Sequence, residues 1–290
     1  MTYVILGPTG IGKTSLAVEI AEHFNCPIIS CDAFQIYKDM DIGTGKIMPD
    51  EKGFDRHYLI NKITPEEIYS VKEYQKDFRE IYEELIKTNE NIVIAGGTGL
   101  YIKAALYDYV FETYEDDTSD LEKMGNVELY KLLTVLDPES TKTIHPNNRK
   151  RVIHAISVAR SCAKTKSEGI DSQEHKLLYK NLKFIFVNPD REIVYENINK
   201  RVEGMFKAGL VEEVKALLKK YNLSVTAKEA IGYKEVISYL DGELSLNDCI
   251  ELVKKRSRNY AKRQVTFFKH QFDCEIFNSI KEVKEAIING

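Results

Sequence analysis

The sequence predicts an α/β fold in which a parallel sheet is flanked by helices. Short apolar, partly β-branched runs alternate with longer segments whose apolar residues recur at helical spacing, a rhythm typical of parallel sheets. Glycine or aspartate follows several of these runs directly, as at Gly7, Asp32 and Gly96. At 290 residues, the chain has room for one large domain or two modest ones.

The strands and helices are predicted from the spacing of apolar residues and from the turn residues that bound them. The predicted strands are residues 3–6, 28–31, a weak 57–60, 91–95, 183–187 and 274–277. The predicted helices are 13–24, 71–87, one ending at 106, 121–136, 147–161, one ending at 208, 212–221, 228–240, 247–268 and a closing helix. Ser70 with Glu73 matches a capping box, which predicts where the second helix begins.

The alternation of strands and helices breaks between about residues 111 and 181. Residues 112–120 are acidic and predict a loop, two helical patterns follow, and the polar residues 162–174 predict a flexible segment. We therefore predict a core domain of residues 1–111 and 182–290, interrupted by a small helical insertion of residues 112–181.

The segment after the first predicted strand fits the pattern G-x-x-x-x-G-K-[ST] of a phosphate-binding loop. Its residues are Gly7, Pro8, Thr9, Gly10, Ile11, Gly12, Lys13 and Thr14. Strand, glycine loop and helix are the context that this chemistry needs, because N–H groups and the positive helix end bind phosphate oxygens. Lys13 would neutralise those oxygens, and the Thr14 hydroxyl is a candidate ligand for Mg²⁺. The loop makes the predicted sheet a P-loop NTPase-like one.

All strands of a parallel sheet end at the same edge, where ligands bind. Asp32 follows the second strand and is predicted to be a general base for a nucleophile, with a partner of Mg²⁺ as the alternative. Thr98 either reaches the substrates or is a plain turn residue. Arg191 and Arg201 either clamp a polyphosphate or form surface ion pairs. The fourth strand ends without the acid of many nucleotide hydrolases, which argues against a motor or switch protein.

Charge is segregated along the chain although the net charge is only −4. Residues 142–160 hold five Lys or Arg and residues 254–272 hold seven, and neither window contains Asp or Glu. Such basic faces on an acidic body favour a polyanionic partner, and the alternative is a solvated helix face.

The remaining composition predicts a cytoplasmic protein. The five cysteines are scattered without a C-x-x-C pair, which favours a reducing compartment and argues against a zinc finger. No apolar run is long enough to span a bilayer, and we see no signal peptide.

Several motifs together resemble one known family. They are residues 7–14, 29–37, 40–46, 96–101, 144–148, 201–214, 230–235 and 260–264. In this order, and over nearly the whole length, the chain resembles the bacterial tRNA dimethylallyltransferases. It departs from the family pattern at Asn61, where Asp is common, and at His154, where Arg is frequent.

The resemblance implies transfer of a dimethylallyl group from dimethylallyl diphosphate to the exocyclic amine of the adenosine 3′ of the anticodon. The loop from Thr9 to Thr14 would bind the diphosphate, with Mg²⁺ at Thr14, while Lys13, Asp32 and Thr98 would be catalytic. The resemblance also implies a set of tRNA-binding residues in a protein that we expect to be a monomer. These are Asp32, Ala33, Phe34, Gln35, Thr98, Lys150, Arg151, Val152, Ile153 and His154.

Three alternatives stay open at this point. The chain would be a small-molecule kinase if ATP were the donor and Asp32 deprotonated a hydroxyl group. It would be an adenylate prenyltransferase if the acceptor were a free adenine nucleotide. A nucleotide-sensing module would bind its ligand without chemistry, and it leaves Asp32 and Thr98 without roles.

Overall fold

A computed structural model of the protein describes residues 1–111, 118–161 and 176–289. A six-stranded parallel sheet forms its centre. Its strands are β1 (Thr2–Leu6), β2 (Ile28–Ser30), β3 (His57–Tyr58), β4 (Ile92–Ala95), β5 (Leu182–Val187) and β6 (Glu275–Phe277). Their spatial order is β3-β2-β4-β1-β5-β6, and every adjacent pair is parallel. In the central strand Val4 lies between Ile94 and Phe184, and it is fully buried. The predicted parallel α/β fold and all six predicted strands are confirmed.

Helices pack against this sheet and form the separate insertion. They are α1 (Lys13–His23), α2 (Val71–Thr88), α3 (Gly99–Leu106), α4 (Ser119–Glu122), α5 (Asn126–Leu136), α6 (Arg149–Ser161), α7 (Arg191–Lys207), α8 (Leu210–Lys220), α9 (Val225–Lys228), α10 (Tyr233–Leu240), α11 (Leu246–Gln271) and α12 (Ile280–Ile287). The capping box at α2 is confirmed, because Ser70 accepts from the Glu73 N–H and Glu73 accepts from the Ser70 N–H.

Two helices that we predicted to be continuous are interrupted at glycines. The predicted helix 121–136 is two helices, since Gly125 stands in an extended conformation just before α5. The predicted helix 228–240 is also wrong, because α9 ends at Lys228 and Gly232, with φ of 97°, precedes α10. Apolar spacing continues across both breaks, so periodicity alone did not reveal them. The segment 162–174 lies outside the described residues, as does most of 112–120, whose described end enters α4.

The chain divides into two compact units, residues 1–106 with 179–290 and residues 107–178. The smaller unit has its own core, in which Leu129 and Leu133 of α5 pack with Val152 and Ile156 of α6. Arg149 at the start of α6 donates to the carbonyl oxygens of residues 121, 122 and 124, which fixes α6 against the end of α4.

The sheet topology brings the predicted site residues together at one edge of the sheet. The phosphate-binding loop follows β1, Asp32 follows β2 and the glycine turn follows β4, and these three strands are neighbours in the order β2-β4-β1. Their carboxyl ends meet at the same edge, as predicted. Within the described residues, no helix is long and apolar enough to cross a membrane.

Candidate active site

A cavity of about 200 Å³ opens at this edge of the sheet, inside the larger unit. Its lining includes Lys13 and Thr14 of the phosphate-binding loop, Asp32 after β2, and Arg201 of α7. The fold thus brings residues far apart in sequence to one concave site, which is where an active site is expected in a sheet of this kind.

The phosphate-binding loop has the backbone geometry that its glycines permit. Gly10 and Gly12 have φ values of 86° and 84°, in the left-handed region that favours glycine. The loop leads into α1, whose first turn contains no acidic residue. The positive end of α1 and its free N–H groups therefore lie at the cavity without a competing carboxylate on the same turn.

Lys13 is poised for an anion. Its ammonium group donates to the carbonyl oxygen of Pro8 at 2.7 Å, so the side chain folds back over the loop. Burial and the neighbouring Arg201 lower the pKa of Lys13 to about 7, and the carboxylate of Asp32 opposes this shift. A bound anion would restore the charge of Lys13 and would relieve its repulsion by Arg201.

Asp32 is held by the turn that follows β2. Its Oδ1 accepts hydrogen bonds from the N–H groups of Phe34 at 2.9 Å and Gln35 at 3.3 Å. Such an Asx turn fixes the carboxylate at the cavity wall. Phe34 and Gln35 line the cavity as well, so three of the four predicted tRNA-binding residues 32–35 border the site.

Thr98 contacts the residues on either side of Asp32 and is not part of the cavity lining. Its hydroxyl accepts from the Ala33 N–H at 3.1 Å, and its own N–H donates to the Cys31 carbonyl. Thr98 therefore ties the turn after β4 to the segment that carries Asp32, which is a positioning contact.

The two candidate arginines have different surroundings. Arg201 donates to the Thr9 hydroxyl at 3.0 Å and to the Thr44 carbonyl at 3.1 Å, so it joins the phosphate-binding loop to the loop 40–46 across the cavity. Arg191 is exposed and stacks over Tyr195 at 4.9 Å, outside the lining. Only Arg201 is in a position to reach a ligand there.

The loop 40–46 forms one wall of the cavity and is fixed by residues that sequence reasoning gave no role. The carboxylate of Glu213 accepts from the N–H groups of residues 41, 42 and 43 and from the Tyr233 hydroxyl. The ammonium group of Lys46 is fully buried and donates to Asp41 and Asn61, each at 2.7 Å, and to the Tyr37 carbonyl. Burial lowers the pKa of Lys46, and Asp41 opposes the shift.

Apolar side chains line another part of the cavity. They are supplied by α7, the segment before α10, and α11, and they include Ile198, Val202, Met205, Ile231 and Val253. A site that combines anion-binding groups with such a wall suits a ligand that has a charged head and a hydrocarbon tail.

The predicted tRNA-binding residues of the smaller unit lie on α6. Lys150, Arg151 and His154 are exposed, whereas Val152 and Ile153 are buried in the core of that unit. Only the three polar side chains face solvent and are in a position to meet a nucleic acid.

Comparison with known proteins identifies the family. A family model described as IPP transferase matches residues 35–271. The tRNA dimethylallyltransferase of Bacillus licheniformis is 42% identical over 98% of this chain and 94% of its own, and that of Bacillus subtilis is 40% identical over 95% and 90%. The chain belongs to the IPP transferase family. The two relatives match nearly the whole chain, whereas the family model begins after the phosphate-binding loop.

Solved structures of IPP transferases agree with the fold. The tRNA Δ(2)-isopentenylpyrophosphate transferase of Staphylococcus epidermidis has a TM-score of 0.73 and 37% identity, with 99% of this chain and 97% of that chain covered. A eukaryotic dimethylallyltransferase acting on tRNA has a TM-score of 0.83 at 26% identity, with 99% and 76% covered. The sheet is thus that of a P-loop NTPase-like IPP transferase.

Proposed function

We propose that this protein is a tRNA dimethylallyltransferase, which transfers the dimethylallyl group to the exocyclic amine of the adenosine 3′-adjacent to the anticodon. The observation that carries the proposal is one cavity whose lining combines Lys13, Arg201 and the phosphate-binding loop with Asp32 and with apolar residues of α7 and α11. The close relatives bear the name of this activity.

The donor binds with its diphosphate on the phosphate-binding loop. N–H groups of the loop and the ammonium group of Lys13 hold the oxygens, and Arg201 lies within reach of them. The five-carbon chain then extends along the apolar wall, where Val202 and Val253 are almost fully buried.

Mg²⁺ fits the residues that are present. Thr14 lines the cavity with a hydroxyl ligand, and the described residues contain no cluster of three acidic, His or Cys ligands. This donor set suits an ion that keeps several waters and takes its other ligands from a substrate phosphate. When bound, Mg²⁺ would supply positive charge to the departing diphosphate.

Asp32 acts on the acceptor. The amine nitrogen of adenosine forms a bond to the allylic carbon, the carbon–oxygen bond to the diphosphate breaks with its electron pair on oxygen, and the amine proton passes to Asp32. Since Oδ1 is held by the two N–H groups of the turn, we assign Oδ2 as the oxygen that receives the proton.

The target base of the tRNA must leave its stack to enter the cavity, as target bases do in other base-modifying enzymes. Phe34 and Gln35 border the place where the base would enter, and Lys150, Arg151 and His154 offer exposed polar groups in the other unit. We expect the protein to act as a monomer in the cytoplasm, and the free cysteines 26, 31, 249 and 274 suit such a reducing compartment.

Product analysis tests the proposal. The protein is incubated with Mg²⁺ and, in separate reactions, with dimethylallyl diphosphate and unmodified tRNA, with dimethylallyl diphosphate and AMP, or with ATP and a panel of small alcohols. We expect diphosphate release only in the first reaction. Release with AMP would indicate an adenylate prenyltransferase, ADP would indicate a kinase, and either result alone would contradict the proposal.

A further inference from the structure

Gln264 of α11 connects the phosphate-binding loop to the turn after β4 through one buried amide group. Its Oε1 accepts from the Thr9 N–H at 2.8 Å, and its Nε2 donates to the Gly97 carbonyl at 2.8 Å. The side chain is only 4% exposed. The donor and acceptor on the amide are therefore both used, and in a fixed orientation.

At the phosphate-binding loop, Gln264 determines where the anion-binding part of the loop begins. The Oε1 of Gln264 accepts from the Thr9 N–H, and Arg201 donates to the Thr9 hydroxyl. Thr9 is thus held by two helices, α7 and α11, and the N–H groups that remain for a diphosphate are those that follow it. Moving the amide would move the start of the loop.

At the other end of the amide, Gln264 holds the turn after β4. A Cβ atom at Gly97 would lie 2.4 Å from the amide nitrogen, so the amide packs on bare backbone. A Cβ at Gly96 would lie 2.2 Å from the Cys31 carbonyl oxygen, and Thr98 accepts from the Ala33 N–H. The turn is therefore pressed against the segment that carries Asp32.

These contacts form a chain from the phosphate-binding loop through Gln264 to the turn and then to Asp32. We propose that Gln264 is a positioning residue that sets the distance between the diphosphate and the general base. The proposal rests on the proposed function, because it assumes that both groups act on the same reaction. Errors of about 1 Å in such a distance reduce rates by as much as roughly 100-fold.

The first test is the Gln264→Met variant, which keeps the length of the side chain and removes both hydrogen bonds. Gln75→Met is the matched control, since Gln75 also donates to a backbone carbonyl, that of Ala104 at 2.8 Å, but lies outside the cavity lining. We measure kcat for transfer to tRNA, binding of inorganic diphosphate with Mg²⁺, and the thermal midpoint. We expect Gln264→Met to lose at least about tenfold in kcat and to bind diphosphate more weakly, while Gln75→Met keeps both values.

The second test is the pH profile of Gln264→Glu. An ionised carboxylate can accept from Thr9 but cannot donate to the Gly97 carbonyl, whereas the protonated acid can do both. Burial should raise the pKa of the new carboxyl group, so the deficit in kcat relative to the wild type should shrink as the pH falls and that group takes up a proton. A variant that is merely misfolded would not recover in this way.

The outcomes separate the two proposals. An inactive wild-type protein would refute the proposed function. An active wild type with a normal kcat in Gln264→Met, or with a deficit of Gln264→Glu that does not change with pH, would refute the role of Gln264 alone. If Gln264→Met does not fold, the pH profile of Gln264→Glu decides the matter by itself.

Discussion

At the scale of the single residue, the proposed mechanism gives Asp32 two separable roles: its Oδ1 closes a turn, and its other oxygen would accept the amine proton. The Asp32→Asn change keeps an oxygen that accepts from the Phe34 and Gln35 N–H groups, but an amide cannot act as the base. We expect turnover to fall by about 10²-fold or more with little change in donor binding. Steady-state kinetics and donor titration measure the two effects.

The control for this change is Asp55→Asn, which alters an exposed aspartate outside the cavity lining. It should leave turnover unchanged. If Asp32→Asn retained nearly normal turnover, Asp32 would be a turn residue and another group would take the proton.

Lys13 carries the second prediction at this scale. Lys13→Ala removes the ammonium group that lies over the loop at Pro8, so diphosphate binding and chemistry should weaken together. The expected loss is roughly 3 kcal/mol in kcat/KM. Protection of Lys13 from chemical modification by dimethylallyl diphosphate, compared with ATP, provides the second measurement. Much stronger protection by ATP would contradict the transferase and favour the kinase.

The loop 40–46 shows, at the scale of the element, how a wall of the cavity is kept rigid. Lys46→Met should destabilise the protein by roughly 2–3 kcal/mol, because it leaves Asp41 and Asn61 without the buried ammonium group. Lys52→Met is the control, since Lys52 pairs with Glu22 on the surface and is 81% exposed, and it should change stability by less than about 0.5 kcal/mol. Urea unfolding measures both. Equal losses in the two variants would show that Lys46 contributes no more than a surface charge.

Elements with local signals could be predicted from the sequence, and elements that depend on distant partners could not. The start of α2 followed from Ser70 and Glu73, which contact each other within one turn. The bonds of Glu213 to the loop 41–43 join residues about 170 positions apart, and no spacing within one sequence indicates them. Gln264 was visible only as part of a family motif, since its two partners, Thr9 and Gly97, lie 255 and 167 positions away in the sequence.

The two basic windows concern the whole molecule and its polyanionic partner. Arg258 and Lys262 are four residues apart in α11, a spacing that predicts a shared face, while Arg263 is predicted to point elsewhere. In the structure Arg258 donates to Asn199 at 2.6 Å, whereas Lys262 and Arg263 are exposed and Arg263 stacks over Tyr260. We therefore expect Lys262, Arg263, Lys150 and Arg151 to supply the phosphate contacts.

The dependence of tRNA affinity on salt tests this expectation. Arg151→Ala and Lys262→Ala should each weaken binding for all tRNA sequences and reduce the magnitude of the salt slope by slightly less than about one unit. Donor affinity should not change. Lys281→Ala is the control and should keep the slope, because Lys281 is 85% exposed and lies outside both basic windows. Unchanged slopes in both test variants would mean that the windows are solvated helix faces.

The central claim is that one cavity joins a diphosphate donor to an adenosine of tRNA, and the most direct measurement follows the transferred carbons. Unmodified tRNA is incubated with dimethylallyl diphosphate labelled in the hydrocarbon chain and then digested, and the labelled nucleoside is located by mass and by sequence position. We predict label on the exocyclic amine of the adenosine immediately 3′ of the anticodon with the wild type, and labelling that is slower by about 10²-fold or more with Asp32→Asn. Label at any other position, or an unlabelled tRNA beside an intact donor, would contradict the account.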